Sequence, residues 1–182
     1  MTLRIQPPTR ETAPEATRPI LDQLQKGLGM VPNLFAAIGH SPGSLTSLLA
    51  WDAAVAKGSL SKREIELLNL HVSELNGCAY CISAHGALGA RVGLSSSDIE
   101  AARDGRGASE RESALLALAR RVVRTGGAHT QTELARAREA GISDAELVDT
   151  IAIVALKTFT NAVALVGKVE VDFPKQPRLP AG

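Results

Sequence analysis

The sequence predicts an all-helical fold, a compact bundle that assembles as a homo-oligomer. Three observations carry this expectation. Short side-chain motifs mark helix starts, glycines mark the stops, and apolar residues between them recur at helical spacing. Strand signals are nearly absent: aromatics are 3% of the 182 residues, and no alternating apolar/polar run lies between turn residues.

The starts come first. A Ser or Thr followed three residues later by Glu can close a reciprocal capping box. This pattern occurs at Ser61/Glu64, Ser109/Glu112, Thr130/Glu133 and Ser143/Glu146, with Ser95/Asp98 as a shorter-armed variant. Ser41 before Pro42 is another start, because proline at the first helical position loses no hydrogen bond. Gly58, Gly93, Gly126-Gly127 and Gly141 read as stops. Between them run apolar rows such as Ile65, Leu68, Val72, Leu75 and Leu115, Leu118, Val122. Helices are therefore expected near 15–28, 32–40, 42–57, 62–76, 78–92, 96–103, 110–125, 131–140 and 144–167. Residues 1–182 read as a single domain with polar, Pro-rich tails at about 1–14 and 174–182. Ser61 to Gly86 can be laid on Ser143 to Gly167 with the capping boxes in register, a faint internal repeat.

Composition excludes several classes. Lys plus Arg number 20 and Asp plus Glu 19, so nothing points to a nucleic-acid or acidic-membrane surface. The N-terminal stretch has no apolar signal-peptide core. The most apolar stretch, 151–166, is interrupted by Lys157, Thr158, Thr160 and Asn161, which suits a buried helix or a subunit interface better than a membrane span. A helix apolar nearly all round must be buried somewhere, and self-association is the expected solution. The two cysteines sit three positions apart, too close to staple a secreted fold. The expected setting is cytoplasmic, and the expected chemistry is redox or metal.

One cluster carries that chemistry: Gly77-Cys78-Ala79-Tyr80-Cys81-Ile82-Ser83-Ala84-His85. On a helix starting at 77 or 78, positions 78, 81, 82 and 85 share a face, and His85 is one turn from Cys81. A helix N-terminus favours a thiolate, and an imidazole can take the thiol proton. Peroxide attack would give a sulfenic acid, which a second thiol three residues away resolves to a disulfide. Plainer readings stand beside this one. C-x-x-C can be half a zinc site, with His85 and His71 as the nearest further ligands, but the usual long separation between ligand pairs is missing. Tyr80 reads as packing and Trp51 as core or interface. His40, His71 and His129 have no partner at useful spacing. Glu66 shares a polar stripe with Lys62, Asn69 and Ser73, and alone reads as a solvated carboxylate. The run from Gly86 to Ala90 lies inside a helix and lacks phosphate-loop spacing.

The stretch Ser61-Lys-Arg-Glu-Ile-Glu66, eleven residues, then Cys78-Ala-Tyr-Cys81-Ile-Ser-Ala-His85 resembles the AhpD-like alkylhydroperoxidases of the carboxymuconolactone decarboxylase superfamily. The likeness extends through Met30-Val-Pro-Asn-Leu-Phe35, Asn161 and Val171-Asp-Phe-Pro174. It implies an all-α homo-oligomer, often trimeric or hexameric, that reduces hydrogen peroxide or organic hydroperoxides without metal or bound cofactor. It further implies a dithiol reductant, a lipoyl protein or a thioredoxin-like partner. Carried over, Glu66 joins His85 in a proton relay, Cys81 becomes the sulfenic acid, and Cys78 is its proton donor and resolving partner. The founding members place a second histidine where this chain has Tyr80, which puts the chain with the peroxidase-related branch; tyrosine is a poor base near neutral pH. The helix N-terminus favours Cys78 as the more acidic thiol, and contact with His85 favours Cys81. We side with Cys81, because a base can both create the thiolate and manage the proton of the leaving oxygen. Two other roles remain on the same fold: a cysteine-independent decarboxylase-type enzyme, which the C-x-x-C argues against, and a non-enzymatic redox sensor or assembly protein.

Overall fold

Three of the serine starts close as full reciprocal boxes. Ser61, Ser95 and Ser143 accept from the N–H three residues on, while Glu64, Asp98 and Glu146 reach back to the serine N–H at 2.8, 2.9 and 2.7 Å. These caps begin three helices of a computed structural model that describes residues 4–177 and 179. A 3₁₀ turn, Glu15–Thr17, leads into α1 (Arg18–Leu28). There follow α2 (Asn33–Ile38), α3 (Pro42–Val55), α4 (Lys62–Leu75), α5 (Ala79–Arg91), α6 (Ser96–Arg103), α7 (Glu110–Thr125), α8 (Gln131–Glu139) and α9 (Asp144–Gly167). No strand occurs among the described residues. Positions 1–3, 178 and 180–182 of the expected tails lie outside the described residues.

Two expected boxes do not close. Ser109 accepts from the Glu112 N–H, but the Glu112 carboxylate turns to Arg63 at 2.7 Å and to the Ala108 N–H. Thr130 has φ −96° and ψ 6°, not the extended backbone a cap needs, and Glu133 binds Arg121 at 2.9 Å instead. The stop expected at Gly58 falls earlier, at Val55. Gly126 ends α7 at φ 63°, a left-handed position that suits glycine.

Arginines tie the caps together. Arg111 donates to Glu64 at 2.7 Å and also to Glu146, so the capping boxes of α4 and α9, the two halves of the faint repeat, share one guanidinium. This holds the Glu146 carboxyl down at about 2. Arg63 likewise joins the Asp98 box to Glu112.

At the centre lies α4, packed against α5, α6, α7 and α9. Leu67, Leu68, Leu70 and Val72 are buried, but so are Asn69, His71 and Ser73. The stripe expected to be solvated therefore runs through the interior after Lys62, because neighbouring helices cover it. α9 is apolar and long enough to cross a membrane by length and composition, yet half of its most apolar window is buried in this fold. Its outer face exposes Val148, Ile151, Phe159, Leu165 and Val166, the last to 75%. Trp51 lies on the surface rather than in the core.

His71 illustrates partners that local spacing hides. Its Nδ1–H donates to the Arg103 carbonyl at 3.2 Å, and Nε2 faces Arg120 Nε at 3.4 Å. Burial holds the ring neutral, with its pKa lowered from 6.5 to about 4. Between those values the unfolded chain binds a proton that the folded chain refuses. Stability from His71 is thus complete above about pH 6.5 and is lost as the pH falls to 4, on the order of 3 kcal/mol at most. The urea midpoint should fall over this window in the parent and much less in His71→Leu. Parallel curves for the two proteins would remove His71 as the cause.

Candidate active site

The turn between α4 and α5 sets the geometry. Gly77 adopts φ 68°, a left-handed bend that reverses the chain directly before the first cysteine. Cys78 becomes the N-cap of α5, and its sulfur accepts from the Cys81 N–H at 3.3 Å. Both cysteines are free thiols, 1% and 2% exposed. Asn161 of α9 lies against the pair, where its amide favours the ionised form of either thiol. It is itself held by Ser73 at 3.3 Å and Asn76 at 3.0 Å.

The thiols titrate together. Hydrogen bonding from Cys81, both side chain and N–H, draws Cys78 down to about 7 against the opposing effect of burial. Losing a second proton beside that thiolate, in a buried site, pushes Cys81 up, with the Lys157 charge opposing. The more acidic thiol is therefore Cys78, contrary to the expectation from His85.

The reason lies in the histidine's partners. His85 Nδ1 is 2.9 Å from Glu66 Oε2, and Nε2 is 3.1 Å from Lys157 Nζ. An ammonium only donates, so beside a charged Lys157 the Nε2 carries a lone pair and Nδ1–H donates to Glu66. Both ring nitrogens are thus engaged in a Lys157–His85–Glu66 row, and neither is hydrogen-bonded to a thiol. Glu66 is no solvated carboxylate, its side chain being 13% exposed. Lys157, read from sequence only as a break in an apolar stretch, and Asn161, which also belongs to the family likeness, are polar residues that α9 brings to the site. For Lys157 the one available signal was a charge within an otherwise apolar stretch.

Tyr80 is engaged with the backbone. Its oxygen accepts from the Leu34 N–H at 3.2 Å, while Asp172 accepts from the Asn33 N–H at 2.6 Å. Pro32 cannot cap α2 with its side chain, so these two residues satisfy the helix's first donors. The Tyr80 ring meets Phe173 edge-on at 5.8 Å, and burial with the nearby Asp172 charge pushes its hydroxyl pKa up. Tyr80 therefore braces α2 and the C-terminal segment, and is no stand-in for a basic histidine.

A cavity of about 330 Å³ opens onto this row. Its walls are mainly apolar, among them Leu34, Phe35, Leu48, Leu88 and Phe173, and Asp52 and Arg91 also contribute. Cys81, His85 and Lys157 line it, and Cys78 lies outside the lining. A smaller cavity of about 170 Å³ between residues 4–7 and 168–170 carries none of the motif residues. Among the described residues, no group of three or more His, Cys, Asp or Glu is placed to hold a metal ion.

Residues 43–121 match the carboxymuconolactone decarboxylase family. A search of curated proteins found no match. Among solved structures, an uncharacterized peroxidase-related protein with the alkylhydroperoxidase AhpD core, from Ralstonia eutropha, has a TM-score of 0.82 at 24% identity over 94% of each chain. A peroxidase-related protein from Silicibacter has a TM-score of 0.77 at 25% identity, covering 87% of this chain and 85% of its own. The debrominase Bmp8 has a TM-score of 0.75 at 20% identity, covering 92% and 91%. A cysteine-to-alanine variant of Bmp8 has been solved with 2,3,4-tribromopyrrole.

Proposed function

We propose that the chain, whose residues 43–121 match the carboxymuconolactone decarboxylase family, is an AhpD-like thiol-dependent peroxidase that reduces organic hydroperoxides. The observation that carries the reading is the placement of Cys81 on an apolar cavity of about 330 Å³, with the Cys78 sulfur hydrogen-bonded to the Cys81 N–H and outside the lining. Hydrogen peroxide needs no such space; an organic hydroperoxide fills it.

In this reading the dithiol ionises as a pair, and the proton shared between the sulfurs passes to Cys78 as Cys81 attacks. Sulfur bonds to the distal peroxide oxygen, the O–O bond breaks, and Cys81 becomes a sulfenic acid. Cys78 then displaces the hydroxyl, which leaves as water, and an intramolecular disulfide forms. A dithiol reductant, a lipoyl protein or a thioredoxin-like partner, restores both thiols. The Glu66–His85 pair acts as the proton relay and keeps the cation of Lys157 beside the cavity. The exposed apolar face of α9 supports a homo-oligomer, trimeric or hexameric, and the proposed setting is cytoplasmic.

The apolar cavity also favours a second reading, reductive dehalogenation of a small halogenated aromatic by the same dithiol, the class of activity named for Bmp8. One experiment separates these. Purified protein is mixed with cumene hydroperoxide, hydrogen peroxide or 2,3,4-tribromopyrrole, using dihydrolipoamide, reduced thioredoxin or glutathione as donor. Catalytic loss of cumene hydroperoxide, faster than of hydrogen peroxide, is expected, from a preparation that light scattering shows to be oligomeric. Bromide release without peroxide turnover would support the second reading. A single oxidation without turnover under any donor would leave the sensor role, and activity that survives serine at both cysteines would point to cysteine-independent chemistry.

A further inference from the structure

Cleaving a peroxide leaves an alkoxide, a strong base that must be protonated inside the cavity. The candidates there are few. His85 has one proton in its neutral form, on Nδ1, and it is committed to Glu66 at 2.9 Å. The Thr160 hydroxyl donates to the Leu156 and Lys157 carbonyls, both at 3.2 Å. The Tyr80 oxygen accepts from the Leu34 N–H, and burial beside Asp172 makes its hydroxyl a still weaker acid. Arg91 is exposed, and a guanidinium holds its protons too tightly to release one. Lys157 remains. It is 7% exposed, it lines the cavity beside Cys81, and its ammonium has three protons. One goes to His85 Nε2, and the other two meet no partner among the described residues.

Building on the peroxidase reading, we propose that Lys157 is a catalytic residue, the acid that protonates the oxygen leaving Cys81. The Cys81 thiolate attacks the distal oxygen of R–O–O–H, forming the S–O bond as the O–O bond breaks. Sulfur is oxidised to the sulfenic acid and the peroxide is reduced. The departing RO⁻ takes a proton from Lys157 and leaves as the alcohol, and Lys157 becomes a neutral amine. The amine regains its proton when the external dithiol later reduces the Cys78–Cys81 disulfide. Burial favours this step, because a thiolate and an ammonium, both costly in an apolar cavity, disappear together. His85 and Glu66 then act through the lysine: they hold it by its third proton, and the relay they form returns a proton to the amine.

The test varies how much the leaving oxygen needs a proton. Tert-butyl hydroperoxide expels an alkoxide, whereas peracetic acid expels acetate, which needs none. Single-turnover oxidation is followed for the parent, Lys157→Met and Lys157→Arg. In Lys157→Met, tert-butyl hydroperoxide should slow at least roughly a hundredfold more than peracetic acid, the scale of general-acid catalysis. Lys157→Arg keeps the charge without a releasable proton, and should likewise lose far more rate with the alkyl peroxide than with peracetic acid. Peracetic acid thus reports whether the dithiol is intact. Should Lys157→Met lose helicity, Lys157→Gln, which keeps an N–H for His85, replaces it under the same criterion. Equal slowing with both oxidants, or none with either, overturns the proposal and leaves the peroxidase reading intact. A parent no faster than free cysteine with either oxidant overturns that reading and the proposal with it.

Discussion

One equivalent of organic hydroperoxide should leave a trappable sulfenic acid on Cys81 in Cys78→Ser, and Cys81→Ser should lose the fast oxidation altogether. The two thiols divide acidity and access between them. Cys78 is the more acidic but lies outside the cavity lining; Cys81 belongs to it. A nucleophile that cannot meet its substrate contributes nothing to rate, so access decides which sulfur is oxidised. Serine at Cys78 leaves α5 well started, since a serine hydroxyl can accept from the Cys81 N–H as the sulfur now does. Oxidation should proceed once and stop, because the resolving thiol is gone. Turnover in both variants should fall to the level of free cysteine unless an external thiol intervenes. Intact-protein mass spectrometry with a sulfenic-acid trap reads the result. Rapid trapping at Cys78 in Cys81→Ser, with Cys81 unreactive in Cys78→Ser, would reverse the assignment.

Glu66→Gln should slow peroxide reduction about tenfold to a thousandfold, the range for loss of one member of an acid–base relay. The carboxylate is the only anion in the Lys157–His85–Glu66 row and accepts the Nδ1 proton of His85 at 2.9 Å. An amide removes that charge and can present an N–H to the imidazole, turning the ring and loosening the lysine beyond it. The cost should appear in rate and little in fold, because the side chain sits on the flank of α4 facing α5 rather than in the aliphatic core. The checks are single-turnover rates beside a urea unfolding curve. An unchanged rate would return Glu66 to a purely structural role.

The fold was legible because its signals are local. Ser61/Glu64, Ser95/Asp98 and Ser143/Glu146 each close within four residues, and the backbone has little choice once they do. Thr130/Glu133 failed because Arg121, on another helix, offered the carboxylate a full charge. The same contrast divides the site. Cys78, Cys81 and His85 share a helix, and their register follows from its pitch. Lys157 reaches His85 across 72 residues, and no periodicity in α9 announces such a meeting. His71 has partners 32 and 49 residues away, equally silent in the sequence. Glu66 is the intermediate case: the helical wheel placed it on a polar stripe correctly, but whether water or protein faces that stripe is decided by α5 and α9.

The depth of the dithiol separates what can reduce it from what does. At 1% and 2% exposure, a Cys78–Cys81 disulfide would be reached through the cavity, by molecules admitted on cross-section. Thiol–disulfide exchange needs in-line approach of a sulfur to a sulfur, so a hydrated, charged tripeptide meets a kinetic barrier whatever its potential. A slender dithiol on a flexible arm meets little. The couple is thereby insulated from the bulk thiol pool: its oxidation state is set by traffic through one opening, not by equilibrium with its surroundings.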